Sequence, residues 1–135
     1  MNDTLRLRLT SQLARHEGRR AMMYEDSLGI ETIGIGHSLR RPISDRAIEQ
    51  IFADDLADTE KELLAHAPWI GELDEARQGV LYNMAFNLGV AGLLAFHATL
   101  ASIQRGDYFT AAAHMMDSRW ARQVGTCGLS SARCS

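Results

Sequence analysis

The sequence predicts an α+β fold in which a small sheet is segregated at one end of an otherwise helical chain. Three observations predict it. Leu5, Leu9 and Leu13 recur every four residues, the stripe of an amphipathic helix. Ile30 to Ile35 is β-rich, with Gly34 and Gly36 interspersed. After Pro42 only helical patterns follow, and no internal repeat is visible. At 135 residues, with 46% hydrophobic and 23% charged, the chain suits one ordinary globular domain.

The first helix is expected over about Thr4–Glu17. The alternation Leu5-Arg6-Leu7-Arg8-Leu9 also permits a strand, but Gln12, Leu13, Ala14 and Arg15 favour helix, and Gly18 supplies the stop. Asp26-Ser27-Leu28-Gly29 reads as a turn ahead of the β-rich stretch, so a small hairpin is expected. Pro42-Ile43-Ser44-Asp45 opens the next helix, with Ser44 or Asp45 as cap. It runs to about His66, with a bend expected near Asp54-Asp55, and Pro68 interrupts it. Leu73–Leu88 is a strongly apolar helix with Leu73, Val80, Leu81, Met84 and Leu88 inward, ending at Gly89. Shorter helices are expected at about Leu93–Phe96, Thr99–Arg105 and Tyr108–Asp117, with Gly106 as a break. In the last stretch Gly125, Gly128, Ser130 and Ser131 break any helix. A domain of residues 1–124 with a poorly ordered tail at 125–135 follows.

A net charge of −3 and a pI near 5.9 argue against nucleic acid as the main partner. The first residues carry no apolar run of signal-peptide length, and the stretch around Leu93–Phe96 is far too short to span a membrane. Synthesis in a cytoplasm is expected, with export left to something else. Cys127 and Cys134 both fall in the last nine residues, too late to staple a core, so a reducing compartment is acceptable and a small terminal disulfide is the alternative. His16, His37, His66, His97 and His114 are scattered without ligand spacing, so no metal and no cofactor is expected.

Glu17 continues the 5-9-13 stripe toward the interior side and sits at a helix C-terminus. Burial and the helix dipole would both favour its protonated form, as a general acid requires. Arg19 and Arg20 would pull the other way, and a Glu turned out to solvent is the plain alternative. Asp26 stands nine residues on, in a turn where water can keep it charged, although Asp is also a common turn former. One neutral and one charged carboxyl is the division of labour that glycoside hydrolysis needs. In Thr32-Ile33-Gly34-Ile35-Gly36-His37, strict alternation would put Ile33, Ile35 and His37 on a buried face. Thr32, Gly34 and Gly36 would then form a nearly bare face open to a bulky ligand. Glycines marking bulges are the competing reading.

Together, His16-Glu17-Gly18, Tyr24-Glu25-Asp26, Gly29 and Thr32 to His37 resemble the active-site segment of phage-type lysozymes, the endolysins of glycoside hydrolase family 24. Asn83 to Gly89 is similar to that family's central helix, and Ser118-Arg119-Trp120 to a late motif, so the resemblance spans roughly residues 5 to 124. It implies a lysozyme-like fold, a small β lobe and a mainly helical lobe with the active-site cleft between them. It implies an endolysin-type muramidase that cuts the β-1,4 bond between N-acetylmuramic acid and N-acetylglucosamine in peptidoglycan glycan strands, lysing bacteria. Glu17 would be the proton donor, Asp26 would activate the attacking water, and Thr32 would help hold that water. Phe86, Ser38, Thr99 and His114 align with substrate contacts, and Asp55 with an acid that forms a structural ion pair with His37. The protein would be made in the host bacterial cytoplasm and reach the wall after release.

The chain departs from the family after the Ser-Arg-Trp motif, where Cys127 to Ser135 replaces an arginine-rich helix that covers the large lobe. Two rival readings remain: a catalytically weak or inactive peptidoglycan-binding homologue, and a membrane-active amphipathic N-terminal helix, supported by Arg6, Arg8, Arg15, Arg19 and Arg20 in and just after it.

Overall fold

The computed structural model describes residues 1–116. The Ser118-Arg119-Trp120 motif, both cysteines and the expected tail at 125–135 lie outside the described residues. The chain divides into two units, one of residues 1–49 and one beginning at Gln50.

The first unit starts with α1 (Asp3–Glu17), bounded as its sequence dictates. The Asn2 side chain accepts a hydrogen bond from the Leu5 N–H at 2.8 Å. At the other end Gly18, at φ +75°, donates its N–H to the Ala14 carbonyl. Leu5 and Leu9 are half-buried, Leu13 is exposed, and no residue of α1 is fully buried. Three antiparallel strands follow in the order β1 (Arg20–Glu25), β2 (Glu31–Gly34) and β3 (His37–Ser38).

The expected continuous strand from Thr32 to His37 does not form. Gly34 and Gly36 both adopt left-handed backbone, at φ +67° and +68°, which L side chains disfavour. They fold the chain back, so that Ile33 pairs with His37 and Thr32 with Ser38. Direct partners share a face of a sheet. Ile33 and His37 therefore keep their common face, while Ile35 moves out to the turn and is exposed. On the opposite side of β2, Tyr24 pairs with Thr32 and Arg20 with Gly34. Four steps along β1 thus match two along β2, a bulge that shortens the path from the end of α1 to the β1–β2 turn.

α2 (Asp45–His66) crosses the boundary between the units without a break, so the bend expected near Asp54-Asp55 does not interrupt it. Ser44 is its cap, the hydroxyl accepting from the Ala47 N–H at 3.2 Å. A short 3₁₀ turn at Pro68–Glu72 leads to α3 (Glu75–Leu88), which begins two residues later than expected because Asp74 takes the cap position. Then come α4 (Val90–Leu94), α5 (His97–Gln104) and α6 (Tyr108–Met116).

The buried core, built around Leu63, Ile70, Leu81, Met84 and Leu93, lies wholly in this second unit. On α3 the inward set is Leu81, Met84, Ala85 and Leu88, the i, i+3, i+4, i+7 pattern. Val80 belongs about 100° round the helix from Leu81. It is 43% exposed rather than inward, and lines an apolar pocket of about 140 Å³ with Leu81, Ile103 and Met115.

Candidate active site

Glu17 is the last residue of α1, and the chain reverses at once through Gly18 into β1. Its side chain is exposed, not turned to the interior. The four-residue spacing fixes a direction on the helix, but nothing on α1 is fully buried, so the direction brings no burial. The carboxyl instead lies against the backbone of Gly36. A Cβ on Gly36 would stand 3.2 Å from Glu17 Oε2 and 3.3 Å from its Cδ and Cγ. The bare glycine is what makes room for the acid.

Asp26 follows β1 and organises the turn into β2. Its Oδ1 accepts from the Leu28 N–H at 2.8 Å and the Ile30 N–H at 2.9 Å, an Asx turn. Its own N–H donates to the Ile30 carbonyl at 3.0 Å. Both side-chain bonds fall on Oδ1, which aims the carboxylate and leaves Oδ2 outside the turn's hydrogen bonding.

Thr32 sits in register between Tyr24 and Ser38 and is 3% exposed. Its hydroxyl donates to the Ile30 carbonyl at 2.8 Å. The face expected to be bare is therefore occupied at this end, where Tyr24 also carries the Arg20 guanidinium 4.7 Å above its ring. Gly34 is the part that matches the expectation, since a Cβ there would meet nothing within 4 Å. Ser38 is half-buried, and its hydroxyl accepts from the Arg40 N–H at 3.2 Å. His37 is half-buried with its Nε2 enclosed and without a hydrogen-bond partner. Asp55, the partner expected for it, is an exposed residue of the second unit.

The remaining sequence candidates also belong to the second unit. Phe86 on α3 is 40% exposed and meets Phe52 of α2 edge-on, with ring centroids 5.5 Å apart. His114 on α6 is exposed. Thr99 is 3% exposed, because it shares the inner side of α5 with Leu100 and Ile103, and it presents no surface to a glycan. Sequence reasoning gave no role to Phe52, nor to Asn83 and Asn87 within the central-helix motif. The four-residue spacing of two carboxamides on one helix was the available signal.

In the second unit several ionisations are displaced by their surroundings. The Arg77 guanidinium, hydrogen-bonded to Asp74 at 2.8 Å, holds the Asp74 carboxyl below its ordinary range. Hydrogen bonds from Thr110 do the same for Asp107. Burial, and then the Glu60 carboxylate, push the Tyr82 phenol up. Among the described residues no group of three or more His, Cys, Asp or Glu is placed to hold a metal, and no helix is long and apolar enough to cross a membrane.

Residues 14–134 match the family model described as phage lysozyme. The chain is 30% identical to the pre-baseplate central spike protein Gp5 of Enterobacteria phage T4, an alignment covering 91% of this chain and 26% of that protein. It is 27% identical to the probable T4-type lysozyme 1 of Dictyostelium discoideum, with 86% of each chain covered. The chain thus spans about a quarter of the spike protein but most of the slime-mould relative.

Proposed function

The chain belongs to the phage lysozyme family, and from that premise we propose that it is a muramidase hydrolysing the β-1,4 bond between N-acetylmuramic acid and N-acetylglucosamine in peptidoglycan. The observation that carries this reading is that one small unit contains two carboxyls held in different ways. Glu17 rests on the bare backbone of Gly36 at a helix end, and Asp26 is aimed by two backbone N–H donors.

In the reaction, Glu17 gives its proton to the leaving glycosidic oxygen as the bond to the anomeric carbon breaks. A water on the opposite face of the sugar adds its oxygen to that carbon, and Asp26 takes the water's proton. The product anomer is inverted. Thr32 has its hydroxyl hydrogen committed to the Ile30 carbonyl, so its part is to offer an oxygen lone pair to that water. Its burial suits one ordered water rather than a sugar ring. Phe86 supplies an aromatic contact to the glycan, and the protein acts on the wall after release from a bacterial cytoplasm.

The test is release of reducing ends from purified peptidoglycan. The full chain should release them, and Glu17→Gln should fall by roughly 10²-fold or more. Fragment masses should show one water gained per cleavage; an anhydro product would replace hydrolysis by internal transglycosylation. Wall binding without any reducing ends from the unaltered chain would overturn the enzymatic reading in favour of a binding homologue. Lysis undiminished in Glu17→Gln would favour membrane action by the arginine-bearing α1.

A further inference from the structure

The strand order β1-β2-β3 leaves β1 at an edge of the sheet. Outside its ladder with β2, no backbone hydrogen bond reaches β1 among the described residues, and all of its residues but Tyr24 are exposed. Met22 is 79% exposed. An edge of this kind presents a row of N–H and C=O groups that templates another strand. The opposite edge is β3, with only His37 and Ser38.

The charges at the ends of β1 decide which strand fits. Glu25 stands directly opposite Glu31 in the β1–β2 ladder, and like charges so placed repel. Arg19 and Arg20 are exposed at the other end. Among the described residues no ion pair reaches any of these four side chains. Arg20 and Tyr24 share one face, because their partners Gly34 and Thr32 are two apart on β2, and Glu25 lies on the other face with Glu31. A second β1 running antiparallel must also match faces. Its two-fold axis therefore passes between a residue and that residue's own copy, since any other centring would oppose residues of unlike faces. Centred on Met22, the axis sets Arg19 opposite the second copy's Glu25 and Arg20 opposite the second copy's Tyr24. Each Glu25–Glu31 pair then gains a counter-charge. Each Arg20, already 4.7 Å from its own Tyr24 ring, gains a second aromatic face. Centring on Met23 sets Ala21 opposite Glu25 and leaves the two carboxylates uncompensated. A parallel copy in register sets arginine against arginine.

We propose that β1 is a self-association edge, on which two copies pair antiparallel about a two-fold axis at Met22 and join their sheets into one of six strands. The pairing uses the long free edge of each copy, so the assembly closes at two. Sedimentation of the full-length chain over a concentration series, with reductant present to keep Cys127 and Cys134 as thiols, should show a monomer–dimer equilibrium. Arg19→Glu sets like charges opposite each other and should weaken dimerisation roughly 10-fold. Adding Glu25→Arg to it should restore the dimer. Met22→Lys, which brings two ammonium groups together on the axis, should abolish it. Because these positions are exposed, each variant should melt close to the unaltered chain at a dilution where both are monomeric. A chain that stays monomeric throughout the series overturns the proposal. So does a dimer indifferent to both Arg19→Glu and Met22→Lys, or one that the charge swap fails to rescue.

Discussion

Alanine placed at Gly36, with the same change at Gly34 as its control, isolates the contact on which the acid depends. Both glycines sit at nearly the same left-handed φ, +68° and +67°. Each alanine therefore carries a similar backbone penalty, about 1–2 kcal/mol. Both variants should lose a comparable amount of melting temperature, roughly 3–10 °C for a chain of this size. Their surroundings differ. At Gly34 the new methyl meets nothing within 4 Å, whereas at Gly36 it stands 3.2–3.3 Å from three atoms of Glu17. Ordinary carbon contacts lie near 3.5–4.0 Å, so the Glu17 side chain must withdraw by a few tenths of an ångström. It is the end of a flexible side chain and can do so at little cost in stability. The acid then no longer stands where it did, and since a misplacement of about 1 Å costs about 10² in rate, a loss of roughly 3–10-fold in kcat is expected. Gly34→Ala should stay within about twofold of the unaltered chain, below any effect of misplacement on that scale. Paired melts and reducing-end assays make the comparison. Equal kinetic losses at the two positions, or full turnover in Gly36→Ala, would refute the link between this contact and the chemistry.

Asp26→Asn keeps an oxygen for the Leu28 and Ile30 N–H groups, so its stability should fall by less than about 0.5 kcal/mol while reducing-end release drops roughly 10²-fold. Asp26→Ala should lose the same activity and about 1 kcal/mol more in urea unfolding; a stable, active Asp26→Asn would remove Asp26 from the reaction. Leu81→Ala, at 1% exposure, should cost about 2–5 kcal/mol, against less than about 1 kcal/mol for Val80→Ala beside it; equal costs would mean that the inward face of α3 is misassigned. Asp107 is held below its unfolded value of 3.8 by Thr110, so its contribution is present above that value and fades as pH falls through the lower folded one. Melts of Asp107→Asn should therefore depend less on pH in acid than those of the unaltered chain. Tyr82 is held above its unfolded value of 10.0, first by burial and then by Glu60, so its contribution is present below that value and is lost as pH rises through the folded one. Tyr82→Phe should flatten the alkaline side of the same profile, and an unchanged slope would argue against the burial of the phenol.

Some element ends were legible because they carry their own local chemistry: Ser44 caps, and Gly18, Gly89 and Gly106 take positive φ where helices stop, whereas the helix expected at Leu93–Phe96 runs instead over Val90–Leu94. What a residue meets across the fold was less legible. The period-2 pattern of Thr32 to His37 is satisfied equally by one strand or by two short strands about a turn, and residue types do not reveal that both glycines are left-handed. The stripe through Leu13 and Glu17 defines a direction without saying what covers it. Val80 and Thr99 are the two sides of that same ambiguity, one apolar yet exposed and one polar yet buried. Phe52 and Phe86 are far apart in sequence, so no window of local pattern could bring them together.

The placement of Asp26 and Thr32, the two groups proposed to handle the water, depends on a single residue between them. The Ile30 carbonyl accepts both the Asp26 N–H and the Thr32 hydroxyl, while the Ile30 N–H donates to Asp26 Oδ1. Carboxylate and hydroxyl are thereby tied to one residue's backbone and must move together. Glu17 ends α1 instead, and its carboxyl lies beside Gly36 in the turn between β2 and β3. In the proposed reaction the separation of acid and water would be set along residues 30–36, where four β1 steps match two β2 steps, about 7 Å, between the partners of Tyr24 and Arg20. A segment whose own side chains do no proton transfer would then control the proposed reaction geometry, and within it Gly36, rather than Gly34, is where an added methyl would displace the acid.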